Sequence, residues 1–421
     1  MSPTPVELNP ASIDLGRFIK SGDVVVLGHN STEPLTLSEA LLAQQPAIGP
    51  LTAFVGFLVT PTFDPLQAPT MRYESFAAIG TTSKLSRAHR LSVVPCHYSQ
   101  VPDLFAAGRL RADVTLLSLS APGADGRMSL GTSHEYVIDA ALRSRVVIAE
   151  VNEQMPTLFG AAIPDALRID AIVRTSRQLP QVIGPRFGDD ERKIAELVAG
   201  LIPNGGTFQL GLGSVPDAIA AGLTRHRHLG VHTGMLTESI MPLIEAGIVD
   251  NSAKPFDQGV TVSGIYVGTD RFYRTLDRNQ AYACLPPRHT HAIGTVARLP
   301  NFISINTAIE VDLAGQVNSE IADGVYVGGT AGAVDYVRGA QLAPGGRSIM
   351  ALLATAKKGT VSRIVPKVSA VTVAASDIDT VITEYGIAKL KGVSLEQRAK
   401  RMIAIAHPAF REDLERAARG R

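Results

Sequence analysis

Two glycine-rich segments contain residues that could bind a ligand through the backbone. The first, residues 211–216, follows a predicted strand and opens a predicted helix. The small size of Gly211 and Gly213 would let a ligand approach the main chain, and the N-terminus of a helix offers unpaired N–H groups to an anion. The spacing lacks the third glycine of a dinucleotide-binding fingerprint. A tight strand-to-helix turn explains the segment equally well, so both interpretations stay open.

The second glycine-rich segment, residues 328–332, favours a functional interpretation. It contains Gly328, Gly329 and Gly332 and lies between a short apolar run and a predicted helix. So many glycines within five residues are hard to explain as a simple loop. They predict backbone amides that face a ligand on which negative charge develops.

Histidines and paired acids are the other candidates for chemistry. His226 with His228, His232, and His289 with His291 could ligate a metal, but no Cys, Asp or Glu stands at a recognised ligand spacing. The sequence therefore predicts that the protein binds no metal.

Two acids, Glu310 and Asp312, alternate in a predicted strand and could form a coupled carboxylate pair. Structural pairing with a nearby arginine is the favoured interpretation. There is no nucleophile elbow and no phosphate-binding loop ending in Lys-Ser or Lys-Thr. The residues alone thus predict a small anionic ligand of unknown identity.

The composition of the chain argues against several classes of protein. The chain has 421 residues, 40 Lys+Arg against 39 Asp+Glu, 2 Cys and no Trp. This length predicts two domains. The balanced charge argues against a nucleic-acid or acidic-membrane partner, and two distant cysteines cannot form a disulfide framework. An N-terminus without a basic start or an apolar stretch predicts a cytoplasmic protein.

Short apolar runs alternate with helix-like stretches along the chain. Residues 23–27, 113–117, 146–149 and 368–373 are such runs. Continuous apolar runs are typical of strands buried on both faces, as in parallel sheets covered by helices. The predicted fold class is therefore α/β.

An internal repeat supports two related open α/β domains. Residues 19–28 and 202–211 both end a predicted strand in glycine and lead through a loop into a helix. The join is predicted between residues 180 and 188, which gives domains 1–184 and 185–421. An amphipathic helix capped by Asp189 or Asp190 should follow it, and residues 396–419 should form two helices broken at a His-Pro pair.

Longer segments resemble a known family. In the C-terminal third these are residues 304–318, 328–340, 362–366, 383–388 and 405–411; in the first half they are 21–23, 94–95, 103–104, 113–114, 129–131, 150–152 and 155–156. Together they resemble the acetyl-CoA hydrolase/transferase family, which includes 4-hydroxybutyrate CoA-transferases and succinyl-CoA:acetate CoA-transferases. The resemblance covers roughly residues 15 to 415.

The resemblance implies two α/β domains with an active site in the cleft between them. In the family, a glutamate attacks the acyl-CoA thioester and becomes an enzyme-bound glutamyl-CoA, while glycine-loop amides and an asparagine stabilise the oxyanion. It further implies coenzyme A as part of an acyl-CoA substrate, possible use of a carboxylic acid, no metal or redox cofactor, and a homodimer or higher homo-oligomer.

The sequence departs from the family at the nucleophile. The family has a His-Thr-Glu-Met motif where this chain has residues 232–235, with Gly234 in place of the glutamate. A glycine has no side chain that could attack a thioester. The nearby Glu238 aligns with a different family position and is not expected to replace the nucleophile.

A second departure falls where the family has its oxyanion asparagine, at or beside His291. Imidazole titrates near neutral pH, so His291 could act as a base, or it could simply replace asparagine as a hydrogen-bond donor. Alternatively Glu33 or Glu310 has taken over as the carboxylate. The predicted function is hydrolysis of an acyl-CoA or another CoA-linked substrate without a glutamyl-CoA intermediate. CoA transfer with a relocated carboxylate, or a catalytically silent acyl-CoA binder, are the alternatives.

Overall fold

The computed structural model describes residues 4–419, which form two compact units. The first unit contains the chain up to Val182, Ser263–His289 and Val325–Ala331. The second contains Ile183–Val262, Thr290–Gly324 and the chain from Gly332 onwards. Part of the N-terminus that was used above to predict a cytoplasmic protein, residues 1–3, lies outside the described range.

The units are discontinuous, whereas the predicted domains 1–184 and 185–421 are continuous. Backbone hydrogen bonds explain why two later segments belong to the first unit. The Tyr266 N–H donates to the Thr132 carbonyl at 2.8 Å, and the Tyr98 N–H donates to the Ala331 carbonyl at 2.9 Å. The first unit's main segment ends at Val182, and the domain boundary at residues 184–185 stays a prediction.

The chain up to Val182 is built on one parallel sheet. Its strands are β1 (Val6–Leu8), β2 (Val24–Leu27), β3 (Thr52–Phe54), β4 (Arg72–Ser75), β5 (Leu91–Val93), β6 (Val114–Ser120), β7 (Val146–Asn152) and β8 (Ala171–Thr175). Its α-helices are α1 (Leu35–Ile48), α2 (Thr82–Arg87), α3 (Val101–Ala106) and α4 (Val137–Ala141). The strand order is β1-β8-β7-β6-β2-β3-β4-β5, and every neighbouring pair is parallel.

The central strands explain why this sheet forms. All residues of β2, β6 and β7 are buried, as expected for strands covered on both faces. Val25, Leu27, Leu116 and Ile148 from these strands belong to one apolar core that also includes residues of α1. The predicted strands at 23–27, 113–117 and 146–149 are thus confirmed.

The rest of the chain repeats the pattern with additions. Its strands are β9 (Thr207–Leu210), β10 (Gly230–Thr237), β11 (Thr261–Val267), β12 (Tyr282–Cys284), β13 (Phe302–Asn306), β14 (Glu310–Asp312), β15 (Val317–Asn318), β16 (Ile321–Ala322), β17 (Val325–Tyr326), β18 (Arg347–Ala351), β19 (Thr355–Ala356), β20 (Val361–Ser362), β21 (Ile364–Val365), β22 (Thr380–Thr383) and β23 (Gly386–Lys389). Its α-helices are α5 (Asp189–Ala199), α6 (Ser214–Gly222), α7 (Met241–Glu245), α8 (Asp270–Leu276), α9 (Pro287–Thr290), α10 (Ile293–Val296), α11 (Ala333–Leu342), α12 (Leu395–Ala404) and α13 (Pro408–Arg419).

Six strands of the second unit follow the order β10-β9-β13-β18-β22-β23. All these pairs are parallel except β22–β23. Strand β9 lies between two parallel neighbours and leads through a turn into α6, as β2 does into α1 in the first unit. The predicted α/β class with two related sheets is confirmed.

Two local predictions were wrong. Residues 368–373 do not form a strand, because this segment turns, and only Val373 bridges Val317. Helix α5 is capped by Gly188 rather than by an aspartate, since its N–H donates to the Glu191 carboxylate at 2.9 Å. The two C-terminal helices, α12 and α13, are confirmed. Within the described part of the chain, no helix has the length and apolar character needed to cross a membrane.

A buried lysine donates hydrogen bonds to the backbone near the start of β10. Lys254 is 1% exposed, and its ammonium donates to the carbonyls of Val231 at 3.3 Å and Val260 at 2.5 Å. Burial lowers the pKa of Lys254 from 10.5 to about 8, an effect that the nearby Asp257 carboxylate opposes.

Lys254 therefore makes folding stability pH-dependent on the alkaline side. Between pH 8 and 10.5 the unfolded chain binds more protons at this group than the folded chain does, so stability rises with pH. We expect the free energy of unfolding of the wild type, minus that of Lys254→Met, to increase by up to about 3 kcal/mol over this range. Urea titrations of both proteins at several pH values measure this difference in the free energy of unfolding. A difference that does not change with pH would contradict the lowered pKa of Lys254.

Candidate active site

The position that lacks the family nucleophile lies in β10, with a buried and extended backbone. The φ angle of Gly234 is outside the left-handed region, so the backbone does not require glycine there. The surrounding space does require it. A Cβ atom built on Gly234 would lie 2.5 Å from His291 Cε1, closer still to Nε2, and 3.1 Å from Tyr336 Oη. A side chain at residue 234, above all a glutamate, would therefore require the His291 ring to move.

The side chain that fills this volume is His291, which follows α9. It is 4% exposed, and its Nδ1 lies 2.9 Å from the Thr290 hydroxyl. Burial lowers the pKa of His291 to about 3. The expectation that this imidazole titrates near neutral pH is therefore wrong, because water is excluded from the charged form.

A neutral imidazole has one donor and one acceptor nitrogen. When the Thr290 hydroxyl donates to Nδ1, the ring proton is on Nε2, which faces Gly234. His291 is then suited to donate a hydrogen bond. A group with a pKa of about 3 is a weak base at neutral pH. Of the two roles that the sequence left open for His291, this environment favours the donor.

Helix α11 supplies the other wall of this site. Gly332 is its N-cap, and a Cβ atom built there would lie 2.6 Å from His291 Nε2 and 3.3 Å from Tyr336 Cε2. One turn into the helix, the Tyr336 ring lies 4.9 Å from the His291 ring and stacks on Phe302 at 6.2 Å. Gly234, His291 and Gly332, three predicted site residues, thus meet in the second unit.

The first glycine segment has the strand-to-helix geometry that the sequence predicted. The Gly211 N–H donates to the Ile305 carbonyl at 2.9 Å, and Gly213 has a φ of +123°, which only glycine adopts easily. Asp217, in the first turn of α6, is buried, and desolvation raises its pKa. The turn itself accounts for both glycines, so their role in binding coenzyme A stays a prediction.

The second glycine segment is divided between the units. Gly328 and Gly329 belong to the first unit, where the Ala78 N–H donates to the Gly328 carbonyl at 2.7 Å. A Cβ atom built on Gly329 would lie 2.5 Å from Ala77 Cβ. The Gly329 N–H has no hydrogen-bond acceptor within residues 4–419. A buried amide of this kind suits the predicted oxyanion donor.

Glu33 lies in the first unit, at the end of a short 3₁₀ turn. It is 3% exposed, and burial raises its pKa to about 7, against the opposing effect of hydrogen bonds from hydroxyls, chiefly that of Thr60. Exposed carboxyls are ionised at neutral pH, whereas the Glu33 carboxyl gains and loses its proton near that pH. Glu33 therefore stays a candidate carboxylate, and its environment is the one a proton-transferring acid needs.

A buried contact between a histidine and a glutamate holds the turn that carries Glu33, and nothing in the sequence indicated it. His29 Nε2 lies 2.9 Å from Glu135 Oε2, and both side chains are fully buried. Glu135 Oε1 accepts hydrogen bonds from the His29 N–H and the Thr32 hydroxyl, each at 3.1 Å. The Phe57 N–H donates to His29 Nδ1 at 3.2 Å, which leaves the ring proton on Nε2 facing the carboxylate.

Glu310 and Asp312 accept hydrogen bonds from groups close to β14. Glu310 accepts from the Asn318 amide at 2.9 Å and the Ser369 N–H at 2.6 Å. Asp312 accepts from two backbone amides that follow it in the chain. The sequence predicted pairing with a nearby arginine, but the neighbouring Arg363 donates to the carbonyls of residues 308 and 309. A structural role explains both acids.

Comparison with known proteins identifies the chain. Residues 12–177 match the acetyl-CoA hydrolase/transferase N-terminal domain, and residues 268–418 match the C-terminal domain of the same family. The chain belongs to the acetyl-CoA hydrolase/transferase family. It is 38% identical over 346 residues to a 4-hydroxybutyrate coenzyme A transferase of Clostridium kluyveri, which covers 82% of this chain and 81% of the relative.

Solved structures agree with this assignment to the acetyl-CoA hydrolase/transferase family. RipA from Yersinia pestis is 31% identical with a TM-score of 0.89, covering 96% of this chain and 95% of that one. A 4-hydroxybutyrate CoA-transferase from Porphyromonas gingivalis is 32% identical with a TM-score of 0.83, covering 99% and 97%. This family member is therefore an enzyme of the CoA-transferase and acetyl-CoA hydrolase type.

The exclusion of a side chain at residue 234 can be measured by stability. We expect Gly234→Ala to lower the free energy of unfolding by about 1–3 kcal/mol, because its Cβ overlaps the imidazole. In a His291→Ala background the same substitution should cost nothing. Urea unfolding of the wild type, the two single variants and the double variant gives the coupling energy between residues 234 and 291. Gly294→Ala is the control, because a Cβ there meets no atom within 4 Å. Equal costs in both backgrounds would show that the two residues do not compete for volume.

The proton state of His291 is also accessible. Since its pKa is about 3, the imidazole should stay neutral between pH 5 and 8. We expect its ring carbon proton, assigned by comparison with His291→Asn, to keep a constant NMR chemical shift over that range. A shift of the His291 signal with a midpoint near 6.5 would overturn the assignment.

Proposed function

We propose that this protein hydrolyses an acyl-CoA, or another CoA-linked substrate, without forming a glutamyl-CoA at residue 234. The observation that carries the proposal is the filled volume at Gly234, where the His291 imidazole leaves no space for a carboxylate. Without a covalent carrier at this position, CoA cannot be held on residue 234 until an acceptor acid arrives, as ping-pong transfer would require.

The proposed reaction consumes one water. Water adds to the thioester carbonyl carbon, the carbonyl electron pair moves to oxygen, and collapse of the oxyanion breaks the C–S bond to release a carboxylic acid and the CoA thiol. The neutral His291 side chain, with its proton on Nε2, would donate to that oxyanion. In the first unit, the Gly329 amide stays a predicted oxyanion donor. Coenzyme A enters as part of the substrate.

A relocated carboxylate is the second candidate, and the Glu33 environment favours it. A carboxyl with a pKa of about 7 is partly ionised at neutral pH, so it can accept a proton or attack a carbonyl carbon. The relatives named above as CoA-transferases make transfer the natural alternative to hydrolysis. A cytoplasmic location, a homo-oligomeric state and the absence of a metal stay predictions.

Thiol release distinguishes these functions. We expect free CoA thiol from one or more members of a panel of short, branched and aromatic acyl-CoAs, with no dependence on added acetate or succinate. Loss of thioester only with an acceptor, together with a CoA adduct on the peptide that contains Glu33, would establish transfer instead. Acyl-CoA binding without any product would identify a silent binder and overturn both enzymatic proposals.

Two substitutions at one position then test how His291 acts. His291→Ala should lower kcat about 100-fold or more while acyl-CoA binding is nearly unchanged, the usual cost of one oxyanion donor. His291→Asn keeps an N–H donor and should retain more activity than His291→Ala. If both variants lose activity equally, His291 acts as a base, and the donor role is wrong.

A further inference from the structure

We propose that a cavity in the first unit, beside β4 and the edge strand β5, binds a small molecule through a carboxylate or phosphate group. The cavity is lined by residues 69–74 and 89–92 and has a volume of about 440 Å³. Sites that bind whole small molecules have volumes of roughly 300–1,000 Å³. None of the lining residues was assigned to the candidate active site, so this inference goes beyond the proposed function.

The first observation is an arginine without a carboxylate partner. The Arg90 guanidinium donates through Nη1 and Nη2 to four backbone carbonyls of the segment before β4, among them Pro65 at 3.1 Å and Met71 at 2.7 Å. Within residues 4–419 no acid pairs with Arg90, and its Nε–H has no acceptor. The carbonyls therefore orient a guanidinium whose positive charge is not neutralised.

The second observation is the overall charge of the cavity wall. Arg72 in β4 also lines the cavity, and its exposed side chain makes no hydrogen bond or ion pair within residues 4–419. Glu74, two residues further along the same strand, is the acid of the lining, and it does not pair with either arginine. Since Arg72 and Arg90 outnumber Glu74, the wall attracts anions.

The third observation is a buried hydroxyl without an acceptor. Tyr73 is among the lining residues and 1% exposed, and its Oη has no hydrogen-bond partner within residues 4–419. Buried hydroxyls almost always find a partner, as Tyr266 does with the Ala283 carbonyl at 2.8 Å. Burial raises the pKa of Tyr73 to about 12, against the effect of the Arg90 charge, so the hydroxyl keeps its proton at neutral pH.

The groups left without a partner define the chemistry of the ligand. The Arg72 guanidinium, the Arg90 Nε–H and the Tyr73 hydroxyl all offer donors, so a matching ligand must supply acceptor oxygens and negative charge. Carboxylate and phosphate groups supply both, and a guanidinium binds either of them through short, charge-assisted hydrogen bonds. The ligand is held by these hydrogen bonds alone, and no covalent bond forms or breaks.

Two substitutions test the site through binding. Wild type, Tyr73→Phe and Arg72→Gln are titrated by calorimetry with inorganic phosphate and with succinate, at an ionic strength held constant with sodium chloride. We expect the wild type to bind at least one of the two anions, and each variant to bind it about 10-fold more weakly, the usual effect of losing one hydrogen bond to a charged group. Because neither side-chain group has a protein partner, the melting temperature should not fall in either variant.

Arg109→Gln is the matched control for net charge. Arg109 is another exposed arginine of the first unit without a partner within residues 4–419, so its substitution should leave anion binding unchanged. Glu74→Gln removes the negative charge from the cavity wall and should strengthen binding.

The titrations do not depend on turnover, so their outcome is independent of whether the protein hydrolyses acyl-CoA. Weaker binding in both Tyr73→Phe and Arg72→Gln supports the site, and a preference for phosphate or for succinate then shows which group the ligand carries. If the wild type binds neither anion, or if either variant binds as tightly as the wild type, the cavity is not an anion site.

Discussion

Competition for one small volume governs the chemistry of this protein. The His291 imidazole lies where a side chain on residue 234 would begin, and Gly332 is glycine for the same reason, since its Cβ would meet the same ring. Three segments distant in the sequence, β10, the residue after α9 and the start of α11, must therefore match one another in size. Protein interiors are packed so densely that a mismatch in side-chain size at these positions is not tolerated.

Burial then sets the proton state of the candidate groups within each unit. Exclusion of water keeps the His291 ring neutral and the Tyr336 hydroxyl protonated, and it holds a proton on Glu33 up to about neutral pH. These groups differ in chemistry, but desolvation is the largest cause of the shift in each. The site in the second unit thereby presents donors rather than charges, which suits a reaction whose transition state gains negative charge on a neutral carbonyl.

Much of the fold follows from the sequence, because strands buried on both faces are predicted directly from continuous apolar runs such as 113–117 and 146–149. The segment 368–373 is also apolar and β-branched but forms no strand, since Ser369 donates to the Glu310 side chain and only Val373 bridges Val317. The resemblance also located the departure at Gly234. It could not show that His291 fills the space, because a contact between residues 57 positions apart depends on three-dimensional packing.

Tyr336 shows the same limit of sequence analysis. It stands in a segment that was used only to recognise the family, and nothing in its type or spacing indicates that its ring packs against His291 and Phe302. The buried pair of His29 and Glu135 escaped notice for the same reason, as 106 residues separate the two in the chain.

The shared volume at residues 234 and 291 also constrains how such a site can evolve. A lineage that regained a glutamate at residue 234 while residue 291 was still histidine would pass through a poorly folded ancestor. A lineage that first replaced the histidine by a smaller residue would avoid this overlap. The order of the two substitutions therefore decides which evolutionary path is open, and drift at residue 291 must precede any return to covalent catalysis at residue 234.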